Sequence, residues 1–244
     1  MTTLFISDLH LCGHRPAITG FFNSFLGHEA SRADALYILG DLFEYWVGDD
    51  AVHDDQFKTI VAAMRTLTTQ GTPLFVMHGN RDFLMGRAFE HATGCQLLTD
   101  PSVVDLYGTP VLLTHGDAMC TADTQYMEFR KTVRSDAWQR DFLAKSFSER
   151  NAIVQSYRDI SKASTASKSP DIMDVTPQEV TALMRNHGVT NMIHGHTHRP
   201  GEHHFELDGK AARRVVLGDW YEQGSVLRCN PENWTLESLP LRPH

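Results

Sequence analysis

Between residues 4 and 193 the chain carries five short apolar runs, each ending in residue types that can hold a metal ion. Leu4-Phe5-Ile6-Ser7 leads into Asp8-Leu9-His10, and Ala35-Leu36-Tyr37-Ile38-Leu39-Gly40 leads into Asp41. Leu74-Phe75-Val76-Met77 delivers His78-Gly79-Asn80, Val111-Leu112-Leu113-Thr114 delivers His115, and Met192-Ile193 delivers His194-Gly195-His196-Thr197-His198. Runs of this length with no polar alternation predict strands buried on both faces. The spacers between them read as helices. One is expected near Pro16 to Leu26. Another covers residues 56–70, where Phe57, Ile60, Val61, Met64 and Leu67 recur at helical intervals before the Gly71-Thr72-Pro73 break. This β-α-β rhythm is what a doubly wound α/β arrangement needs. Ligands of such sheets gather outside the carboxyl ends of the strands, so the five tips are expected to converge on one site.

The rhythm changes after His115-Gly116-Asp117. Residues 122–163 read as almost continuously helical, with breaks near Ser135-Asp136 and Ser148, which predicts an inserted helical lid over about residues 122–168 of a single domain spanning 1–244. Ser161 to Ser169 is small and polar, suited to a loop beside phosphate. Thr176-Pro177-Gln178-Glu179 has the form of a capping box with proline in the first turn, opening a helix through Met184 that closes near Gly188. Residues 203–244 alternate in short strand-like pieces, with Asp208-Gly209 as a hairpin signal.

With 244 residues and 41% hydrophobic content the chain can bury a full core. The net charge of −8 argues against general nucleic-acid binding. Cys12, Cys95, Cys120 and Cys229 form no Cys-x-x-Cys pair, so neither a disulfide framework nor a structural zinc site is expected. The amino terminus enters a strand at once, and no stretch approaches the ~18 apolar residues of a membrane span. A cytoplasmic protein is expected, with peripheral membrane attachment left open. Nine basic residues lie in positions 130–168 (Arg130, Lys131, Arg134, Arg140, Lys145, Arg150, Arg158, Lys162 and Lys168) against four acidic ones, leaving +5 on this segment. That reads either as an ordinary charged surface or as a face for anionic phospholipid or a polyphosphate substrate. Leu42-Phe43-Glu44-Tyr45-Trp46 is expected to pack beside the site or join a substrate pocket. Asp49, Asp50, Asp54 and Asp55 suggest a solvated loop rather than an extra cation site.

Asp8, His10, Asp41, Asn80, His115, His196 and His198 offer two carboxylates, one amide oxygen and four imidazoles. That is too many donors for one ion and suits two ions with a shared carboxylate. A nitrogen and oxygen set without thiolate fits Mn²⁺, Fe²⁺ or Zn²⁺. His203 and His204 lie beyond the set and are expected to stay clear of it.

The blocks Asp8-Leu9-His10, Gly40-Asp41, Gly79-Asn80-Arg81-Asp82, His115-Gly116 and Gly195-His196-Thr197-His198, in that order, resemble the five signature blocks of the calcineurin-like metallophosphoesterases. The resemblance implies a mixed-sheet α/β sandwich and a dinuclear hydrolytic site. Many members place a proton-donating histidine directly after the asparagine of the third block, whereas this chain has Arg81. An arginine does not deprotonate but clamps phosphate with two donors, which suits a leaving group that is itself a phosphate ester. Arg81, the Phe43-Glu44-Tyr45-Trp46 block, the basic insertion and Leu217-Gly218-Asp219-Trp220 resemble the branch that cleaves a UDP-linked diacylated glucosamine lipid in lipid A biosynthesis. That branch implies two Mn²⁺ ions, one on Asp8, His10, Asp41 and His198 and the other on Asp41, Asn80, His115 and His196. It also implies catalytic roles for Asp41, Asn80, Arg81, His115 and His196, and a peripheral place on the cytoplasmic, anionic face of an inner membrane. Substrate contacts carried over are Asn80, Arg81, Asp123, Ser161, Lys168 and His196, together with Thr165, which stands where the branch often has asparagine. The competing readings are a soluble nucleotide pyrophosphatase or phosphodiesterase of the same superfamily, and a scaffold that only binds partners.

Overall fold

The computed structural model describes residues 1–165 and 170–241, leaving out the side chains of residues 160–171. The first half of the chain forms β1 (Thr3–Ile6), α1 (Pro16–His28), β2 (Ala35–Leu39), α2 (Asp55–Thr69), β3 (Leu74–Met77), α3 (Arg87–Thr93), β4 (Gln96–Leu98), β5 (Ser102–Leu106) and β6 (Thr109–Thr114). Three helices follow, α4 (Thr124–Val133), α5 (Asp136–Leu143) and α6 (Phe147–Thr165). The chain then returns through α7 (Pro177–Asn186) to β7 (Asn191–His194), β8 (Gly201–Leu207), β9 (Lys210–Val216), β10 (Gln223–Cys229) and β11 (Trp234–Pro240).

These strands build two mixed sheets rather than one doubly wound sheet. The first has the order β11-β10-β1-β2-β3-β4, and the second β5-β6-β7-β9-β8. β1 to β4 are parallel, as are β6, β7 and β9, while β5, β8, β10 and β11 pair antiparallel with their neighbours. The apolar runs explain the layering. Phe5, Leu39 and Met77 from the first sheet meet Val111, Leu113, Ile193 and Val215 from the second in one buried layer. The alternate residues Leu4, Ile6, Leu36, Ile38, Leu74 and Val76 face α1, α2 and α3 through Phe22, Phe25, Phe57, Ile60, Met64 and Phe89. Leu112 and Met192 face α7 through Val180 and Met184. Both faces of each central strand are covered, and that is why the runs carry no polar alternation.

Several local expectations changed on folding. The helical insertion breaks at residues 134–135 and 144–146, with Ser135 capping α5 by accepting from the Trp138 N–H. Thr176 begins α7 without a side-chain cap, because its hydroxyl instead accepts from Thr121 Oγ1 at 2.9 Å. Asp208 and Gly209 turn between β8 and β9 with φ of 53° and 77°, the mirror-type hairpin the sequence signals. The acidic group after Trp46 is partly solvated, with Asp50 and Asp55 exposed, and three of its four carboxylates also hold neighbouring elements. Asp49 accepts from the N–H groups of Gly86, Ala88 and Phe89 at the start of α3, Asp54 caps α2, and Asp50 pairs with Arg150 of α6. All four cysteines are free and buried.

Candidate metal centre and active site

The carboxyl ends of β1, β2 and β3 in one sheet and of β6 and β7 in the other face each other across one edge of the sandwich. Asp8, Asp41, Asn80, His115 and His196 meet there. The loops bend sharply to achieve this. Asp8, His10, Asp41, His196 and His198 all have φ between 50° and 70°, five of the seven non-glycine residues with positive φ among those described. Such left-handed backbone is disfavoured for L-residues and persists where surrounding structure fixes it. Glycines admit the close approach. A Cβ on Gly79 would collide with Asp41, and one on Gly195 with Ser7 and the Asp8 carboxylate.

Two groups of donors fall within 4.8 Å of one another, Asp8-His10-His198 and Asp8-Asp41-His115. His10 Nε2 and His198 Nε2 are 3.2 Å apart, with His198 Nε2 3.4 Å from Asp8 Oδ1. On the other side Asn80 Oδ1 is 2.9 Å from both His115 Nε2 and His196 Nδ1, and His115 Nε2 is 3.7 Å from Asp41 Oδ1. Asp8 Oδ1 is buried without a hydrogen-bond partner, whereas Oδ2 accepts from Ser7 and from the His196 N–H at 2.9 Å. Three or more nitrogen and oxygen donors converging at such distances, one an orphaned carboxylate oxygen, fit divalent cations. His115 Nδ1 lies 2.9 Å from Leu39 O, and donating to that carbonyl turns Nε2 toward the cluster, where loss of its proton would free a lone pair for a metal ion. All seven sequence-predicted donors lie in this cluster. His203 is on the exposed strand β8, and His204 pairs there with Glu202.

Burial sets the protonation states. It pushes Asp41 up, with Asp82 and Asp8 adding to the effect, to about 7. Burial depresses His115, but Asp41, Asp8 and Asp117 outweigh it and raise His115 to about 9. His196 is lowered to about 4 by burial and by His115. Burial also opposes ionisation of Asp8, yet the surrounding histidines hold it well below the usual carboxylate range.

Arg81 donates its N–H to Asp41 Oδ1 at 2.9 Å, and its guanidinium reaches Glu44 Oε1 at 2.9 Å. Asp123 caps α4 by accepting from the Tyr126 N–H. Ser161, Thr165 and Lys168 lie outside the described side chains. Four of the seven described basic residues in the positive segment turn inward, while Lys131, Arg140 and Lys145 are exposed. Arg130 Nε donates to Asp117 at 2.8 Å, Arg134 to Gly79 O at 2.9 Å, Arg150 to Val47 O at 2.6 Å and to Asp50, and Arg158 to Glu44 at 2.7 Å. Four of the cations that suggested an anionic surface therefore tie the inserted helices to the loops of the site. Sequence reading missed their acidic partners. Glu44 was grouped with its aromatic neighbours, of which Phe43 and Trp46 do pack in the core. Asp117 is fully buried and holds Tyr126 as well as Arg130. Asp219 stands 3.6 Å from His198 Nδ1. A usable signal existed for two of them, since each acid follows a donor residue by a few positions.

Fold and donor set define a calcineurin-like phosphoesterase, and the chain belongs to that family, whose model matches residues 1–200. Within it the chain is similar to proteins named UDP-2,3-diacylglucosamine hydrolase. That of Aeromonas hydrophila is 50% identical over 99% of this chain and 100% of its own length. Those of Pseudomonas paraeruginosa and Stenotrophomonas maltophilia are 51% and 48% identical, covering 99% and 98% of this chain and 100% and 99% of their own. The solved structure of TT1561 from Thermus thermophilus aligns with 99% of each chain at 14% identity and a TM-score of 0.48, too distant to bear on the chemistry.

Proposed function

We propose that this protein hydrolyses the pyrophosphate bond of UDP-2,3-diacylglucosamine by attack of water on the α-phosphorus, giving UMP and 2,3-diacylglucosamine 1-phosphate for lipid A biosynthesis. The observation that carries this reading is near-50% identity over essentially the whole chain to relatives whose name states that substrate. The site adds chemical support. Two Mn²⁺ ions are the proposed cofactors, one on Asp8, His10, Asp41 and His198 and the other on Asp41, Asn80, His115 and His196. Bound there, the pair supplies Lewis acidity and lowers the pKa of water at the site. The Arg81 guanidinium clamps the phosphate, and Asn80, His196, Asp123, Ser161, Thr165 and Lys168 are the proposed further contacts. A departing sugar phosphate is weakly basic, so charge stabilisation by Arg81 suffices where a poorer leaving group would need a proton donor.

Helices α4 to α6 form the proposed lid over the acyl chains. A cavity of about 200 Å³ lies between α5 and α6, lined by Trp138, Phe142, Ile153 and Tyr157, with Asp141 and Lys145. Peripheral attachment to the cytoplasmic face of the inner membrane is proposed as well. Exposed Phe129, Leu143 and Ile172 support it, and no helix among the described residues is long and apolar enough to cross a membrane.

The test offers Mn²⁺-loaded protein UDP-2,3-diacylglucosamine beside UDP-glucose and an aryl phosphate. A preference of orders of magnitude for the diacylated substrate is expected, since each buried CH₂ contributes ~0.8 kcal/mol. Comparable kcat/KM on both UDP-sugars would favour a soluble nucleotide pyrophosphatase instead. Reaction in ¹⁸O-labelled water should place the label in UMP, and label in the sugar phosphate would reverse the proposed orientation.

Metal uptake should also release protons. In the ion-free site His115 keeps its proton below about 9 and Asp41 below about 7. Both must give it up to act as ligands, so affinity for Mn²⁺ should climb as pH rises from 6 toward about 9. Calorimetric titrations in two buffers of different ionisation enthalpy measure this directly, and identical heats in both would contradict it.

A further inference from the structure

Glu44 gathers partners from three separate segments. Its backbone N–H donates to Leu11 O at 3.0 Å, holding the loop after β2 against the loop after β1. Its carboxylate is buried, and the two oxygens divide their work. Oε1 accepts from Arg81 Nη1 at 2.9 Å and from Arg158 Nη2 of α6 at 2.7 Å. Oε2 faces His10 Nδ1 at 3.5 Å, and that nitrogen is buried with no hydrogen-bond partner inside normal bonding distance. The other ring nitrogen, Nε2, is the one that faces His198.

A buried acid that meets an arginine of α6 has a simpler explanation, since Asp50 meets Arg150 of the same helix. That pair fastens α6 without touching any donor of the metal cluster. Glu44 differs in having a second oxygen turned to an imidazole, an arrangement that a helix anchor does not need. A carboxylate behind a histidine ligand fixes the ring's tautomer and orientation and raises its basicity.

We infer that Glu44 is a positioning residue of the hydrolytic site, holding His10 with Nε2 toward the ions through one oxygen and setting Arg81 and Arg158 through the other. The ion side and the phosphate side of the site are then oriented by one side chain. The phosphate part rests on the proposed function, whereas the ion part stands on geometry alone. Glutamine cannot take over both tasks. It offers a single carbonyl oxygen, so its NH₂ group must face either the His10 N–H or the two guanidiniums, donor against donor.

The test compares wild type, Glu44→Gln, Glu44→Asp and Asp50→Asn in Mn²⁺ affinity, measured against a competing chelator, and in steady-state kinetics at saturating Mn²⁺. Glu44→Gln should bind Mn²⁺ about 10- to 100-fold more weakly and lose kcat even when saturated. Glu44→Asp keeps the charge and guards against misfolding, but its shorter arm should not reach His10, so Mn²⁺ affinity falls there too. Asp50→Asn loosens α6 alone and should stay within about twofold of wild-type affinity. Wild-type Mn²⁺ affinity in both Glu44 variants, or an equal loss in Asp50→Asn, would overturn the inference. Should wild type fail to cleave UDP-2,3-diacylglucosamine, the proposed function falls while the Mn²⁺ comparison still decides the role of Glu44.

Discussion

Asp41→Ala should lose metal binding and turnover together, with kcat/KM down by at least about 10³-fold. Asp41 sits at the end of β2, with its carboxylate between the two halves of the donor set. Oδ1 lies 3.7 Å from His115 Nε2, and the carboxylate shares one donor group with His115 and with Asp8, which also belongs to the group of His10 and His198. On the proposed two-ion reading, removing a carboxylate shared by both ions would leave each short of a ligand and delete one of the few negative charges that favour cations in a buried site. His10→Ala or His198→Ala should behave differently, weakening mainly one ion. Metal analysis after exhaustive desalting separates the cases. A single tightly held ion in wild type, or full activity in chelator-stripped protein, would sink the dinuclear reading.

Arg81→His should lower kcat/KM by about 10²- to 10³-fold, the usual consequence of deleting one charged donor aimed at developing phosphate charge. A histidine at this position supplies a proton, yet the proposed leaving group needs its charge neutralised. The backbone N–H of residue 81 keeps its bond to Asp41 Oδ1 in this variant and only the longer 3.8 Å guanidinium contact with Asp41 Oδ2 is lost, so metal content should fall far less than kcat/KM. Activity retained in Arg81→His would mean that proton donation does the work here.

Much of the site was legible because its residues sit where strands end. A run such as Ala35 to Leu39 has one interpretation when buried on both faces, and the residue after its glycine is then placed at the sheet edge. What pattern reading lacked was the way the strands divide into two sheets. Parallel neighbours β1 to β3 and β6 to β7 give the same local signal whether they share a sheet or face each other. The inward-turned part of the positive insertion was hidden for a related reason. Arg130 and Arg158 look alike as surface charges in sequence, and only their partners Asp117 and Glu44, brought close by the fold, turn them inward. Thr176 shows the same limit at shorter range, since a neighbouring hydroxyl from residue 121 claimed the oxygen expected to cap α7.

The left-handed backbone at Asp8, His10, Asp41, His196 and His198 bears on how this chain can change over generations. Each such L-residue costs on the order of 1 kcal/mol, less for aspartate than for a bulkier side chain, and glycine at the same place costs almost none. At these five positions the substitution that relaxes the backbone is also the one that deletes a proposed ligand. Glycine would ease the backbone there, yet at Asp8 and Asp41 it would also leave the His196 and Arg81 N–H groups without their acceptors. Backbone relief and the proposed metal chemistry therefore pull in opposite directions at these five positions.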